Sequence, residues 1–351
     1  MLNATLLDAL PAPLREGFHR VLVELPGWLL NPEIHFFWVY LLSSLLIGVW
    51  AWHLHYRAEA GNVLRFLFPK RIYLHPSARL DYKLFLVNRF FGPSALLTRV
   101  VLGSGLMAGV ATSMQYGLET HLGGGHQLFA WSVASSTAVV LLVTLLRDFS
   151  TFATHALSHK LPLLWEFHKV HHSAEVLTPI TLFRKHPVYN LLANCVDLVL
   201  VAPAQGLVTW IFVGEAAPLT LFGANLVFSL FHLAGANLRH SHVWLSFGPM
   251  LDRILISPAQ HQIHHSRAPQ HWDRNFGEVF AIWDWMFGTL YLPGRSREVL
   301  EFGVADMPPG EHGSLWRLYW VPFANSARLI AAWFRGRSTR PIHGESGTAA
   351  P

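Results

Sequence analysis

The stretch HQIHHS, His261 to Ser266, sets histidines at i, i+3 and i+4, and HKVHHS, His168 to Ser173, carries the same pattern earlier in the chain. On an α-helix that spacing puts the rings on one face, within about one turn of each other. A third group, HALSH, holds His155 and His159 four apart, and NLRHSHVWL adds His240 and His242. These are the clustered part of 22 histidines. Imidazole suits Zn, Cu, Fe and Ni, and two metals with roughly four or five nitrogen ligands each would use about this many. A structural zinc site usually draws on cysteine, and the chain has one, Cys195, inside an apolar run. That cysteine reads as a small buried hydrophobe and excludes an intrachain disulfide framework. His35, His53, His55, His75, His121 and His126 stand alone and read as satisfied polar residues.

The histidines sit in a membrane-like chain. Of 351 residues 52% are hydrophobic and only 13% charged, against about 25% charged in an average soluble domain; the mean hydropathy is +0.32. Lys+Arg 26 against Asp+Glu 21 makes the chain basic. No basic run interleaved with aromatics suggests a nucleic-acid surface, so no nucleic-acid partner is expected. The opening MLNATLLDALPAPL lacks the basic region of a secretory signal peptide.

A spanning helix takes about 20 apolar residues. The expected spans are Ile34 to Trp52, Val100 to Leu118 and Leu128 to Leu146, followed by a hairpin over Tyr189 to Leu233 broken near Pro203 and again near Gly214 to Pro218. The fold class is therefore all-α, a multi-span helical membrane protein of four to five transmembrane helices. Arg57, Arg65, Lys70, Arg71, Arg79, Lys83, Arg89 and Arg99 lie between the first two spans, whereas LETHLGGGHQ, between the second and third, has no Lys or Arg. Basic loops stay in the cytoplasm. Counting crossings from there puts both triplets on the cytoplasmic side, in a histidine-rich metal-binding cap. Five segments follow: an amphipathic stretch over 1–33, spans with a basic loop over 34–147, a catalytic region over 148–292 containing the hairpin 189–233, an amphipathic region over 293–337, and a disordered tail over 338–351. Leu315 to Arg335 mixes aromatics and arginines, as a helix at the membrane interface does; packing against the protein itself explains it equally well. Gly103-Ser104-Gly105-Leu106-Met107-Ala108 mimics a dinucleotide fingerprint, but it lies in an apolar span with no strand before it. Gly105 and Gly109 read better as a close helix-packing face.

Taken in order, DFSTFATHALSH (Asp148 to His159), LWEFHKVHHS (Leu164 to Ser173), SPAQHQIHHS (Ser257 to Ser266) and WDRNFGEVFAIWDWMFGTLY (Trp272 to Tyr291) resemble the fatty acid hydroxylase/sterol desaturase superfamily of membrane-bound histidine-box enzymes. The resemblance covers about two-fifths of the chain. It implies a non-haem di-iron centre, two iron ions held by His155, His159, His168, His171, His172, His261, His264 and His265. It also implies one more histidine between the triplets: His240 fits best by spacing, with His232, His242 and His186 as rivals. Such enzymes spend O2 and two electrons to hydroxylate or desaturate a lipid. An external donor is implied, a reductase with a ferredoxin or cytochrome b5-like carrier, because the chain has no nucleotide fold of its own. Two departures blur the subfamily: Ala156 stands where the family often has Arg, and its NYG turn reads Asn275-Phe276-Gly277.

Ligating histidines usually donate their other ring N–H to a carboxylate or carbonyl. Asp148, seven residues before His155 and so on the same helix face, is a candidate for that support, with Glu166, Asp273 and Asp284. Asp273 reads equally well as a turn residue, and Trp283, Trp285 and Phe287 as packing. Two other classes compete. A metal transporter would set its ligands near mid-membrane in repeated halves, which the sequence lacks; a haem carrier would leave most of the histidines unexplained. The sequence leaves open which lipid is used and whether it is hydroxylated or desaturated.

Overall fold

The computed structural model describes residues 10–336 apart from 104, 124–128, 131, 214–219, 222–223, 295, 306 and 309. The expected break at Gly214 to Pro218 and the tail from Ser338 lie outside the described residues. Helices dominate: α1 (Ala12–His19), α2 (Trp38–Ala51), α3 (Pro76–Phe91), α4 (Pro93–Leu102), α5 (Leu106–Leu122), α6 (Val133–Lys160), α7 (Pro162–His172), α8 (Pro187–Ile211), α9 (Leu226–Leu233), α10 (Pro258–His264) and α11 (Leu315–Phe334), joined by short helical turns. The described strands are two-residue pairs, Phe129–Ala130 parallel to Phe212–Val213 and Thr220–Leu221 antiparallel to Ala224–Asn225.

Among the described helices, α6 and α8 are long and apolar enough to cross a membrane, and α3 with Leu96–Leu102, bent by 47°, makes a third if the pair is one span. The chain is an integral membrane protein on this evidence of two to three apolar helices, with fewer candidate spans than the four to five expected. Two of the shortfalls have a local cause. The first expected span is regular α-helix only over the 14 residues Trp38–Ala51, after which the backbone passes into a π-turn over Trp52–Tyr56. The second is cut by Gly103 and Gly105, both at positive φ (73° and 86°), where a glycine is at ease.

The third runs longer than expected. A Ser132–Ser135 capping box starts α6, and nothing stops it before Leu161, which Pro162 biases toward the extended conformation it adopts. One 28-residue helix thus carries both the apolar stretch and HALSH. The expected break at Pro203 does not occur, since α8 continues through it. In a membrane helix neighbouring groups can satisfy the carbonyl that proline leaves unpaired. The expected packing face on Gly105 and Gly109 is also overturned: a Cβ at either would meet nothing within 4 Å. The close approach is made from the other helix, where a Cβ at Gly206 of α8 would lie 2.2 Å from the Ala111 carbonyl oxygen of α5.

Beside the spans, α7 packs on the C-terminal half of α6 and the turn Ala236–His240 packs on α10, whose His264 ring reaches His155 and His159 of α6. Arg184, 2% exposed, ties this region together. It donates to Asp81 of α3 (2.6 Å), to the Val170 carbonyl (2.8 Å) and to Ser173 (2.8 Å), while Thr181 donates to the other Asp81 oxygen. The ion pair fixes the C-terminal end of the HKVHHS helix. Along the outer side of α7 runs α11, which buries Leu318, Pro322 and Ser326 and exposes Trp316, Trp320 and Trp333. One face of this helix therefore packs on the protein, and the other carries exposed tryptophans.

Candidate metal centre

Nine buried histidines form two groups, His155, His159, His168, His172 and His264 in one and His171, His240, His261 and His265 in the other, the candidate ligand atoms of each lying within 4.8 Å of one another. The triplets divide by the same rule. In HKVHH the i and i+4 rings enter the five-membered cage and the i+3 ring the four-membered one; in HQIHH the assignment is exchanged. A regular helix does this because i and i+4 differ by about 40° around the axis, while i+3 falls on the other side of i. The i,i+4 pair of α6 completes the first cage and His240 alone completes the second. The cages abut, with the His172 and His265 rings stacked at 4.7 Å.

The nitrogens face inward. His172 Nε2 lies 3.1 Å from His159 Nε2 and 3.2 Å from His168 Nε2. In the other cage His240 Nε2 lies 3.1 Å from His261 Nε2, 3.1 Å from His265 Nε2 and 3.3 Å from His171 Nε2. Ligands about 2.1 Å from one cation and about 90° apart are separated by roughly this distance. Burial first, and then the neighbouring imidazoles, holds His171, His240, His261 and His265 well below the usual histidine range; neutral imidazole is the form that ligates. His155 Nε2 is buried with no hydrogen-bond partner among the described residues, and an unpaired buried polar atom is costly unless something fills the gap. The donor set fits metal.

The rivals of His240 are engaged elsewhere. His232 pairs with His35 at 2.5 Å and with the Phe228 carbonyl, His242 with the Phe66 carbonyl at 2.6 Å, and His186 with the Tyr319 carbonyl at 3.0 Å and the Val188 N–H.

Backbone carbonyls support two of the rings, and of the expected carboxylates Asp273 stands beside a third. His155 Nδ1 sits 2.7 Å from the Phe276 carbonyl and His264 Nδ1 2.8 Å from the Arg274 carbonyl, so the closing segment holds rings with backbone oxygens. Asp273, at φ 57°, is both a turn residue and a neighbour of a ring, 3.6 Å from His159 Nδ1 and 2.5 Å from Lys160. Asp148 does not support a histidine directly. It accepts from Val279 N, Phe280 N and Trp283 Nε1 and so clamps the closing segment to α6. Asp284, fully buried, accepts from Phe276 N (2.8 Å), Gly277 N (2.7 Å) and Thr289 (2.6 Å), acting on His155 through the Phe276 carbonyl. Glu166 faces away, to Lys169 and Asn325. Trp283 packs on Phe149, whereas Trp285 is 68% exposed. In the Asn275-Phe276-Gly277 turn, Phe276 packs on His155, His159 and His264 without needing a hydroxyl. A Cβ at Gly277 would lie 2.5 Å from the Phe280 carbonyl.

Sequence reasoning missed Gln262, inside the second box. Its amide donates to the Leu238 carbonyl (3.1 Å) and the Val243 carbonyl (2.9 Å), which flank His240. It also missed Gln260, the capping partner of Ser257 at the start of α10. Both could have been suspected from the cost of burying an amide in a histidine-facing helix.

Residues 140–289 match the family described as fatty acid hydroxylase. That segment belongs to the fatty acid hydroxylase family. Relatives include alkylglycerol monooxygenase of Danio rerio, 27% identical over 53% of this chain and 39% of its own. Ornithine lipid hydroxylase of Rhizobium tropici is 31% identical over 44% of this chain and 43% of its own. Cholesterol 25-hydroxylase of Rattus norvegicus is 29% identical over 49% and 53%. The chain thus spans about two-fifths of the length of the first relatives it matches. No solved structure matches.

Proposed function

We propose that this fatty acid hydroxylase family member is a membrane lipid hydroxylase that uses O2 and two electrons, with one iron in each histidine cage. The observation that carries the reading is the pair of abutting, all-nitrogen cages with five and four buried histidines. A lipid C–H bond offers no acidic proton to a general base, so the oxidising power comes from iron and O2 when they are bound. His155, His159, His168, His172 and His264 would hold one ion and His171, His240, His261 and His265 the other. The chain supplies position and dryness. Backbone carbonyls of Phe276 and Arg274 orient two rings, and the spaces beside the cages are small, about 50 Å³ and about 30 Å³, leaving little room for bulk water.

Hydroxylation is favoured over desaturation because the relatives are named as monooxygenases and hydroxylases. Their names point to alkylglycerol, ornithine lipid and cholesterol, which supports a lipid substrate here. Loop charge supports a cytoplasmic position for the cages, within reach of an external reductase and its ferredoxin or cytochrome b5-like carrier. Lipid extracts of cells carrying the intact chain or His264→Ala, compared by mass spectrometry, test the proposal. One lipid gaining a single oxygen atom, only with the intact chain and only in air, is expected. Iron-loaded protein that oxidises no lipid with a donor present, or that moves metal across vesicles instead, would refute it.

A further inference from the structure

The cavity of about 30 Å³ touches both cages, through His155 and His168 of one and His171, His240 and His261 of the other. The cavity of about 50 Å³, beside Trp165 and Trp272, touches only the five-histidine cage. The first is therefore the space that both cages share. Leu182, Lys185 and Glu278 wall that space, and the same three residues also wall an open cavity of about 370 Å³. The larger cavity is of ligand-binding size. It lies at the first turn of the candidate span α8, where Asn190 lines it, with Trp28, Phe85 and Phe183 as aromatic walls. Lys185 and Glu278 thus stand at the neck between an open chamber and the metal centre.

The charged walls are not equally free. Arg20 donates to Glu16 at 2.7 Å and to the Phe90 carbonyl at 3.1 Å. Arg89 pairs with Glu24 and lies over the Trp28 ring. Glu278 faces Arg239 at 3.6 Å; burial raises its pKa, but the Arg239 and Lys185 charges outweigh burial and hold it at about 2. Lys185 makes no ion pair with a described carboxylate. Its ammonium sits 5.4 Å from the Tyr189 ring centroid and feels Glu278 only through space. An ammonium in a tight neck whose neighbouring carboxylate, Glu278, already faces Arg239 is incompletely compensated, and an ammonium is a point charge that takes carboxylate or phosphate alike.

We propose that Lys185 binds the anionic headgroup of the lipid substrate, a carboxylate or a phosphate, at the neck between the open chamber and the metal centre. This rests on the lipid-hydroxylase reading above, and its test reads binding rather than turnover. Purified iron-loaded protein in neutral detergent micelles is titrated with palmitate, hexadecyl phosphate and hexadecanol, which share a chain length and differ in headgroup. At least one anion binds the native protein about tenfold or more tighter than the alcohol, as a charged hydrogen bond gives; which anion does so separates carboxylate from phosphate. Lys185→Met brings the anions to the level of hexadecanol and leaves hexadecanol binding and iron content unchanged, while Lys185→Arg keeps the preference. A native protein that binds all three equally, or Lys185→Met protein that keeps the anion preference, overturns the proposal. Lys185-dependent anion binding in a protein that oxidises no lipid would instead sink only the functional reading.

Discussion

HKVHHS and HQIHHS have one spacing and two kinds of support. The first is pinned by charge, through Arg184 with Asp81, the Val170 carbonyl and Ser173. The second is pinned by neutral amides, through the Ser257–Gln260 capping box and Gln262. The cages differ in the same spirit. One receives two rings from a single long helix, α6, and the other depends on His240 from a short turn. A repeated motif therefore does not make equivalent sites, and the four-histidine cage has less to lose.

The largest expected effect follows from that inequality. His240→Ala reduces its cage to three nitrogens and lowers lipid hydroxylation by more than the roughly 10–100-fold that loss of an outer support costs. His155→Ala leaves four nitrogens in the other cage and is milder. Equal losses in a turnover assay would break the comparison. Next, Arg184→Ala leaves Asp81 buried without its cation and costs about 3–5 kcal/mol in thermal or denaturant unfolding, whereas Gln262→Leu costs about 1–3 kcal/mol for the carbonyls it abandons. The two supports would be equivalent if these values proved alike. Gln262→Leu also weakens metal binding at the His240 cage more than at its neighbour.

The smallest effect concerns acid. Burial raises the Asp273 carboxyl, but hydrogen bonds and charge from His159 and Lys160 outweigh it and hold the group well below its usual range. A carboxylate with a depressed folded pKa contributes stability that is fully present above about pH 4 and is lost as pH falls through the folded value. Asp273→Asn should remove that dependence at a cost of less than about 1 kcal/mol at neutral pH, because the pair with Lys160 is partly exposed. An acid-unfolding curve unchanged by the substitution would show that Asp273 serves the turn alone.

The histidines were legible in the sequence because their spacing is a helical property that survives folding. The member between the triplets was narrowed to four and no further, since choosing His240 over His186, His232 and His242 depends on which carbonyl each rival meets across the fold. One expected carboxylate misled for the same reason. Asp148 does share a helix face with His155, but its partners are backbone amides of residues 279 and 280, and no local pattern announces them. Span lengths were misjudged where apolarity and helix continuity part company, at Gly103 and Gly105, and where Pro203 is absorbed within α8.

The most direct test is the metal count of the purified chain, by elemental analysis beside an optical spectrum. Two irons per chain without a haem band, falling toward one in His240→Ala, is the predicted result. One metal per chain in the native protein, or a haem spectrum, would contradict the two-cage account.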